Sequence, residues 1–446
     1  RGFDILINGE VKSGQIISKP VSRVALKPYS FIGLSPIPKV VVEVGQTVKA
    51  GDEVYHDKKH PEIKFTSPVS GEVIEINRGD KRAIADIIIL ADKDQQYKKF
   101  NAPGKDADRA ALVNFLVDTG AWTWINERPF DVVPQLSSQP KNIFISTFDT
   151  APMAPDNNLI VAGNEQAFQD GIDVLARLTE GKVYLGLDGS NRGQLSSAFT
   201  KAKNADLHYF EGKHPAGNVG VQIHHIAPIR SGEKVWTMRV QDVIALGKLF
   251  ATGEVRRTAI VAITGNEVIE PQYVSTFPGA SVAELTQGNV TDGKLRYISG
   301  DVLSGKQVSA TGFMNEKDDQ LTVIEEGDFY EMFGWLMPLS PRPSASGTYP
   351  NGLFPNMKFD VNTNTHGEKR AFVVTGQYEE VLPMDIYPQH LFKSILTKDV
   401  EMMRTRKVAI MTNLPQNPSN HGAQRVLDDL VIGNQALGYI ITHAVQ

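Results

Sequence analysis

Two short stretches of this chain gather side chains able to handle a flat, carbonyl-bearing ligand. In TGAWTWINERPF, residues 119–130, Trp122, Trp124, Arg128 and Phe130 lie close together. Indole and phenyl faces stack on a planar ring, and a guanidinium donates to a carbonyl or an anion in a fixed fork. The same aromatics, arriving just after a predicted helix, would equally build the core of a domain interface. The second stretch holds His208, His214, His224 and His225. Imidazoles ligate metals and move protons, but this spacing matches no ligand signature, and on a strand His224 and His225 would face opposite ways. Trp122, Trp124, Arg128, Phe130, His214 and His224 are therefore the candidate groove for a planar ligand carrying a carbonyl or an anion, with a structural role as the alternative reading.

Other chemistries find less support. A phosphate-cradling GxGxxG or GxxxxGK[ST] loop is absent, and the nearest approach, Gly186 to Gly193 (GLDGSNRG), reads as a turn. No Ser/His/Asp order, HExxH or paired-carboxylate pattern marks hydrolysis, so the isolated chain is not expected to be catalytic. The chain has no cysteine, which excludes disulfides, thiolate zinc sites and iron–sulfur clusters held by its own thiolates. One modification site has a rationale. Val40 to Ala91 follows the strand-and-turn pattern of a lipoyl- or biotinyl-type β-hammerhead, and its hairpin HDKKHPEIK places Lys58 and Lys59 where such carriers bear their lysine. That hairpin looks long for a carrier and contains Pro61, which favours reuse of the module without the modification.

The elements that would position these residues change period along the chain. Residues 1–100 read as all-β: Phe3 to Ile7 alternates, Arg23 to Leu26 is a short strand, and the hammerhead follows. Asp106 to Thr119 then shows a helical stripe closed by Gly120. Lys141 to Leu187 alternates strand, helix and strand, with further elements at Leu207 to Phe210 and Val240 to Thr252, giving a Rossmann-like α/β domain over 101–255. Strands around the short helix of Ser281 to Leu285, with Leu321 to Glu325 closing the sheet, suggest a β-grasp-like module over 256–337. The remainder, 338–446, opens with the proline-rich loop Pro338 to Pro350 and continues as helices, one near Leu391 to Leu396 and one near Val426 to Val431. The expected architecture is multidomain, β and α/β, with a helical C-terminal part.

Composition agrees with folded domains. With 446 residues, 41% hydrophobic and 22% charged, the chain is too long for one core, and roughly three domains are expected. The net charge of −5 comes with dispersed basic residues, so nucleic acid is not an expected partner. No apolar run approaches the ~20 residues needed to cross a bilayer, and the residues after Arg1 contain no apolar signal-peptide core.

Several ordered segments together resemble one family. They are Lys64 to Arg82 (KFTSPVSGEVIEINRGDKR), Glu127 to Pro134 (ERPFDVVP), Phe144 to Pro155 (FISTFDTAPMAP) and His214 to Ile226 (HPAGNVGVQIHHI), then Tyr297 to Gly305 (YISGDVLSG), Phe333 to Trp335 (FGW) and Gly376 to Pro388 (GQYEEVLPMDIYP). This set is similar to the A subunit of the bacterial Na+-translocating NADH:quinone oxidoreductase over roughly residues 1–400. The resemblance implies a peripheral subunit on the cytoplasmic face of the bacterial inner membrane, in a complex that oxidises NADH, reduces ubiquinone and exports sodium. It also implies that flavins and an iron–sulfur centre sit on partner subunits and none on this one. A weaker likeness to flavin-binding subunits of related complexes leaves two alternatives, a flavin-dependent NADH dehydrogenase subunit or the carrier modified at Lys58 or Lys59. The tail beyond about Arg404 and the segment Ser340 to Phe354 depart from the family pattern.

Overall fold

Alternating apolar and polar residues give the first hundred residues short strands that each bury one face. The computed structural model describes residues 1–397 apart from 32–34, 36, 105, 231, 332–340, 344–352, 367–375 and 385–386. Its opening strands are β1 (Ile16–Ser18), β2 (Arg23–Leu26), β3 (Lys39–Val40), β4 (Thr47–Val48), β5 (Glu53–His56), β6 (Lys64–Thr66), β7 (Gly71–Arg78) and β8 (Ile84–Ala91). Among the described residues one sheet runs β2-β8-β7-β4 and a smaller one runs β3-β5-β6. Val24, Leu26, Val73, Ile87 and Ile89 from the first share a core with Tyr55 and Phe65 from the second. Phe65 stacks on Tyr55 at 4.6 Å and meets Phe31 edge-on at 4.7 Å. Val44 is exposed because Gly45 turns the chain there at φ 87°.

Two expectations for this region need correction. Phe3 to Ile7 forms no strand; it contributes a single bridge from Ile7 to Phe359. And β1 leaves the N-terminal sheets to pair, parallel, with a strand some 250 residues later. Alternation reports a half-buried surface, not which partner covers it.

The central region begins with α1 (Arg109–Thr119), where the Asp108 side chain accepts from the Ala111 N–H at 2.8 Å as N-cap. Gly120 ends it at φ 78°, and a Cβ there would lie 2.6 Å from Thr66 Oγ1. The same glycine thus closes the helix and lets it abut β6. The following elements are β9 (Asn126–Arg128), β10 (Ile143–Ser146), α2 (Asn157–Val161), α3 (Glu165–Ala176), β11 (Val183–Asp188), α4 (Ser197–Thr200), β12 (Asp206–Phe210), α5 (Val219–Ile226), β13 (Val235–Thr237) and α6 (Val240–Thr252). Their sheet has the order β12-β11-β10-β13-β9, parallel throughout except for β9. Strand order therefore reverses beside β10: the chain first builds outward through β11 and β12, then returns to place β13 on the other flank. The covering helices α3 and α6 approach closely at glycines, since a Cβ on Gly247 would stand 1.8 Å from the Ala167 carbonyl oxygen.

The third region holds β14 (Ala259–Thr264), β15 (Gln272–Thr276), α7 (Val282–Thr286), β16 (Leu295–Ser299), β17 (Lys306–Val308) and β18 (Gln320–Glu325). Its sheet runs β1-β15-β14-β18-β16-β17, so the expected strand at Leu321 to Glu325 lies inside the sheet, between β14 and β16. Two helices follow, α8 (Gln377–Val381) and α9 (Pro388–Leu396), with Tyr378 against Phe392. Most of the proline-rich loop, the FGW segment and the helical stripe near Val426 to Val431 lie outside the described residues.

Candidate functional site

In an open α/β sheet, strands on either side of an order reversal send their connections to opposite faces, leaving a crevice beyond their C-terminal ends. Here that crevice lies past Ser146 of β10 and Thr237 of β13, and the third region roofs it with Ser299 to Asp301, Ser304 to Lys306, Asn315 and Lys317 to Gln320. Ser30 and Phe31 of the N-terminal region close one side. The enclosed volume is about 510 Å³, inside the range of about 300–1,000 Å³ usual for small-molecule sites. Residues at the N-terminal ends of α5 and α6 also line it.

The lining is polar and of mixed charge. Arg128, Arg239, Lys306 and Lys317 stand among Asp131, Asp149, Asp242, Asp301, Asp318 and Asp319. Asp242, 3% exposed at its side chain, accepts from Arg239 Nε and from a terminal nitrogen of Arg257, each at 2.9 Å. Burial pushes the Asp242 carboxyl up, but the two guanidiniums outweigh it and hold it below the usual carboxylate range. Arg257 also lies 4.4 Å from the Trp124 ring. Asp149 is exposed at the crevice rim and accepts from the Ala151 N–H at 2.8 Å. Asp319 rises to about 6 through burial and its neighbours Asp149 and Asp318, against the pull of Arg239. Lys317, whose Nζ donates to Asn126 Oδ1, is brought down to about 8, chiefly by burial. Asp149 lies in the loop after β10, three residues past its last residue Ser146, in the connection where a nucleotide-binding fold of this topology would receive a phosphate. A carboxylate there repels one.

The sequence candidates separate. Trp124 and Arg128 line the cavity, and Arg128 faces Asp131 at 3.5 Å. Trp122 does not: it is fully buried, donates from Nε1 to the Pro134 carbonyl at 2.7 Å and packs edge-on against Trp236. Phe130 sits half-buried in the turn after β9, off the cavity lining. His214 lies behind the wall, where Thr150 Oγ1 contacts its Nδ1 at 3.1 Å. The Gly217 N–H donates to the same hydroxyl, and His214 Nε2 is buried without a hydrogen-bond partner. Burial lowers His214 below its ordinary value despite Asp301 and Asp4 nearby.

His224 and His225 lie on α5, not on a strand, and pack ring to ring at 5.2 Å in its last turn, away from the cavity. His208 is on β12 beside Tyr184. The four histidines, near in sequence, do not converge, and no group of three metal-ligating side chains occurs among the described residues. Of the Gly186 to Gly193 segment, Gly186 to Asp188 ends β11 and only the residues after it turn, with Asp188 accepting from the Ser190 N–H. Lys58 and Lys59 are exposed in the connection between β5 and β6, where buried Asp57 accepts from the Lys59 N–H. Asp149, Arg239, Asp301 and Asp319 were not singled out from sequence. The available signal was positional and weak, an acid in the loop that follows the strand at the reversal.

Three family models match the chain in order: the NqrA N-terminal barrel-sandwich hybrid domain over 1–92, the NqrA second alpha/beta domain over 107–255 and the NQRA C-terminal domain over 260–310. A relative from Saccharophagus degradans, named as the A subunit of a Na(+)-translocating NADH-quinone reductase, is 39% identical over 90% of this chain and 89% of its own length. The chain belongs to the NqrA family, the A subunits of the Na(+)-translocating NADH-quinone reductase. Members from Alcanivorax borkumensis and Vibrio alginolyticus, 37% and 36% identical, each match over 90% of this chain and 89% of their own. A solved NAD+-reducing nickel–iron hydrogenase chain, 11% identical and covering 76% of this chain and 64% of its own, has a TM-score of 0.40, too low to carry an argument. No helix among the described residues is long and apolar enough to cross a membrane.

Proposed function

We propose that this chain is the peripheral A subunit of a membrane-embedded Na+-translocating NADH:quinone reductase, docked on the cytoplasmic face of the inner membrane and serving its assembly and its quinone-reduction step. The reading adds that flavins and the iron–sulfur centre belong to partner subunits, and that the three regions are a lipoyl/biotinyl-like hammerhead, a Rossmann-like domain and a β-grasp-like domain divided near 100 and 255. The observation that carries the ligand class is the crevice at the strand-order reversal. Its size suits a small planar molecule, Trp124 and Phe31 offer aromatic surface, and Arg128 and Arg239 offer donors for a carbonyl. Asp149 in the loop after β10 favours a neutral ring over a phosphate ester.

The test has two parts. Isolation from native membranes in mild detergent should bring down flavoprotein partners with NADH:quinone activity. Titration of the full chain with a short-chain ubiquinone should then quench tryptophan emission, and Arg128→Gln should weaken that binding about tenfold, the loss of one charged hydrogen bond. Recovery without partners sinks the subunit role, and unchanged affinity in the variant removes quinone from this cavity.

A further inference from the structure

A second, much smaller cavity of about 20 Å³ lies where all three regions meet. Phe65, Thr66 and Pro68 come from the N-terminal region, Thr123 and Trp124 from the central one, and Arg257 and Glu316 from the segments entering and closing the third. A water molecule requires roughly 10–15 Å³ of such space and two to four polar partners. The partners are present. Glu316 Oε1 is buried with no hydrogen-bond partner. The Thr66 and Thr123 hydroxyls spend their hydrogens on the carbonyls of Thr119 and Gly120, which leaves their lone pairs to accept.

We propose that this junction is a one-water site and that Glu316, bound to that water, is a proton-operated pin setting the position of the wall it shares with the large cavity. The wall is Trp124, which lines both cavities and lies under the Arg257 guanidinium. With Glu316 neutral, its carboxyl donates or accepts through the water, and Arg257 belongs to Asp242 and the Trp124 face. With Glu316 ionised, a second buried anion competes with Asp242 for Arg257, and the indole beneath changes surroundings. The other groups facing Glu316 are Lys27 and Tyr55 from the N-terminal region and Lys317 beside it in sequence, while Arg239 stands behind Asp242. Tyr55 stays neutral because burial and Glu316 raise it, so it adds no further anion, whereas Lys27 and Lys317 are each brought down to about 8, chiefly by burial, and lose their charge above the Glu316 step.

Burial raises Glu316 to about 7, against the opposing charges of Arg257, Lys317 and Lys27 and the backbone N–H of Lys27. A raised carboxyl binds its proton more tightly in the closed junction than in an open one. The closed junction is therefore favoured at low pH, and that preference is lost as pH rises toward 7. The pin does not depend on which ligand enters the large cavity, so its test needs none.

Tryptophan emission of the full ligand-free chain, titrated between pH 5.5 and 8.5, should show a step centred near pH 7. Glu316→Gln keeps the shape and an acceptor but cannot ionise, and should remove that step while leaving any histidine-linked drift intact. Trp124→Phe should remove it too. Should Glu316→Gln fail to fold, hydrogen exchange of wild-type peptides spanning 122–125 and 255–258, corrected for intrinsic rates, supplies the same answer. Protection should fall at least severalfold from pH 6 to pH 8. A step that survives in Glu316→Gln, or flat emission or protection in the wild type, overturns the proposal.

Discussion

Replacing Asp242 tests whether the central and third regions are held together by a buried ion cluster. Its carboxylate is 3% exposed and satisfies Arg239 and Arg257 at 2.9 Å each, while Arg257 itself is 13% exposed and stacked on Trp124. Burial draws Arg257 below its ordinary value, against the pull of Asp242 and with Arg239 repelling it. It still remains a cation, because a guanidinium does not lose its proton in this range. Removing Asp242 thus strands a charge that cannot neutralise itself. Breaking a buried pair by deleting one partner costs about 3–5 kcal/mol, and Asp242→Ala should fall in that range, at least a ~150-fold shift in the folding equilibrium. Asp242→Asn, which keeps shape and one acceptor, should lie at the lower end.

Urea unfolding followed by tryptophan fluorescence provides the measurement, with the regional transitions fitted separately because a chain of this size need not unfold in one step. The double variant Asp242→Leu/Arg257→Met should recover only part of the loss, since it removes the more buried cation together with its partner but leaves Arg239, 32% exposed, without Asp242. The pH dependence has a definite sign. The folded carboxyl sits below its ordinary value, so its stabilisation is present above about pH 4 and is lost as pH falls through the folded value. Asp242→Ala within about 0.5 kcal/mol of wild type, the size of an ordinary surface change, would refute the claim that this cluster holds the junction.

Two further predictions concern the helices and the hairpin. Gly247→Ala puts a methyl 1.8 Å from the Ala167 carbonyl oxygen, so α3 and α6 must separate; a loss of about 1–3 kcal/mol is expected in thermal unfolding, and a stabilised variant would show that the two helices do not meet as described. Intact mass of the native chain should equal that of the unmodified sequence, and a lipoyl or biotinyl increment mapped to Lys58 or Lys59 would revive the carrier reading.

Legibility followed the range of the interaction. Helix α6 could be read to its last residue because its signals are local: a stripe over Val240 to Thr252 and Gly253 at φ 67°. The C-terminal end of α1 was legible for the same reason, at Gly120, whereas its start was read at Asp106 and the helix begins at Arg109, after the Asp108 cap. By contrast, β1 was not read from the sequence at all, because nothing in Ile16 to Ser18 names β15 as its partner. The histidines misled because adjacency in sequence became dispersal over a strand edge, a loop and the last turn of α5.

The aromatic stretch divides in the same way. Composition identified Trp122 and Trp124 as a pair worth attention, but only packing separated them, sending Trp122 into the core and Trp124 to a wall between two cavities. What the sequence alone determined was the strongly periodic elements such as α1 and α6, the absence of thiol chemistry, the absence of a phosphate-cradling sequence motif, and the family. What only the tertiary structure decided was the site: the crevice exists because strand order reverses beside β10, and its charges act together because residues as distant as Trp124, Asp149, Asp242 and Lys317 surround one volume. Pairing over such separations is set by the closing of many loops and the burial of shared surface, and no short window of sequence carries it.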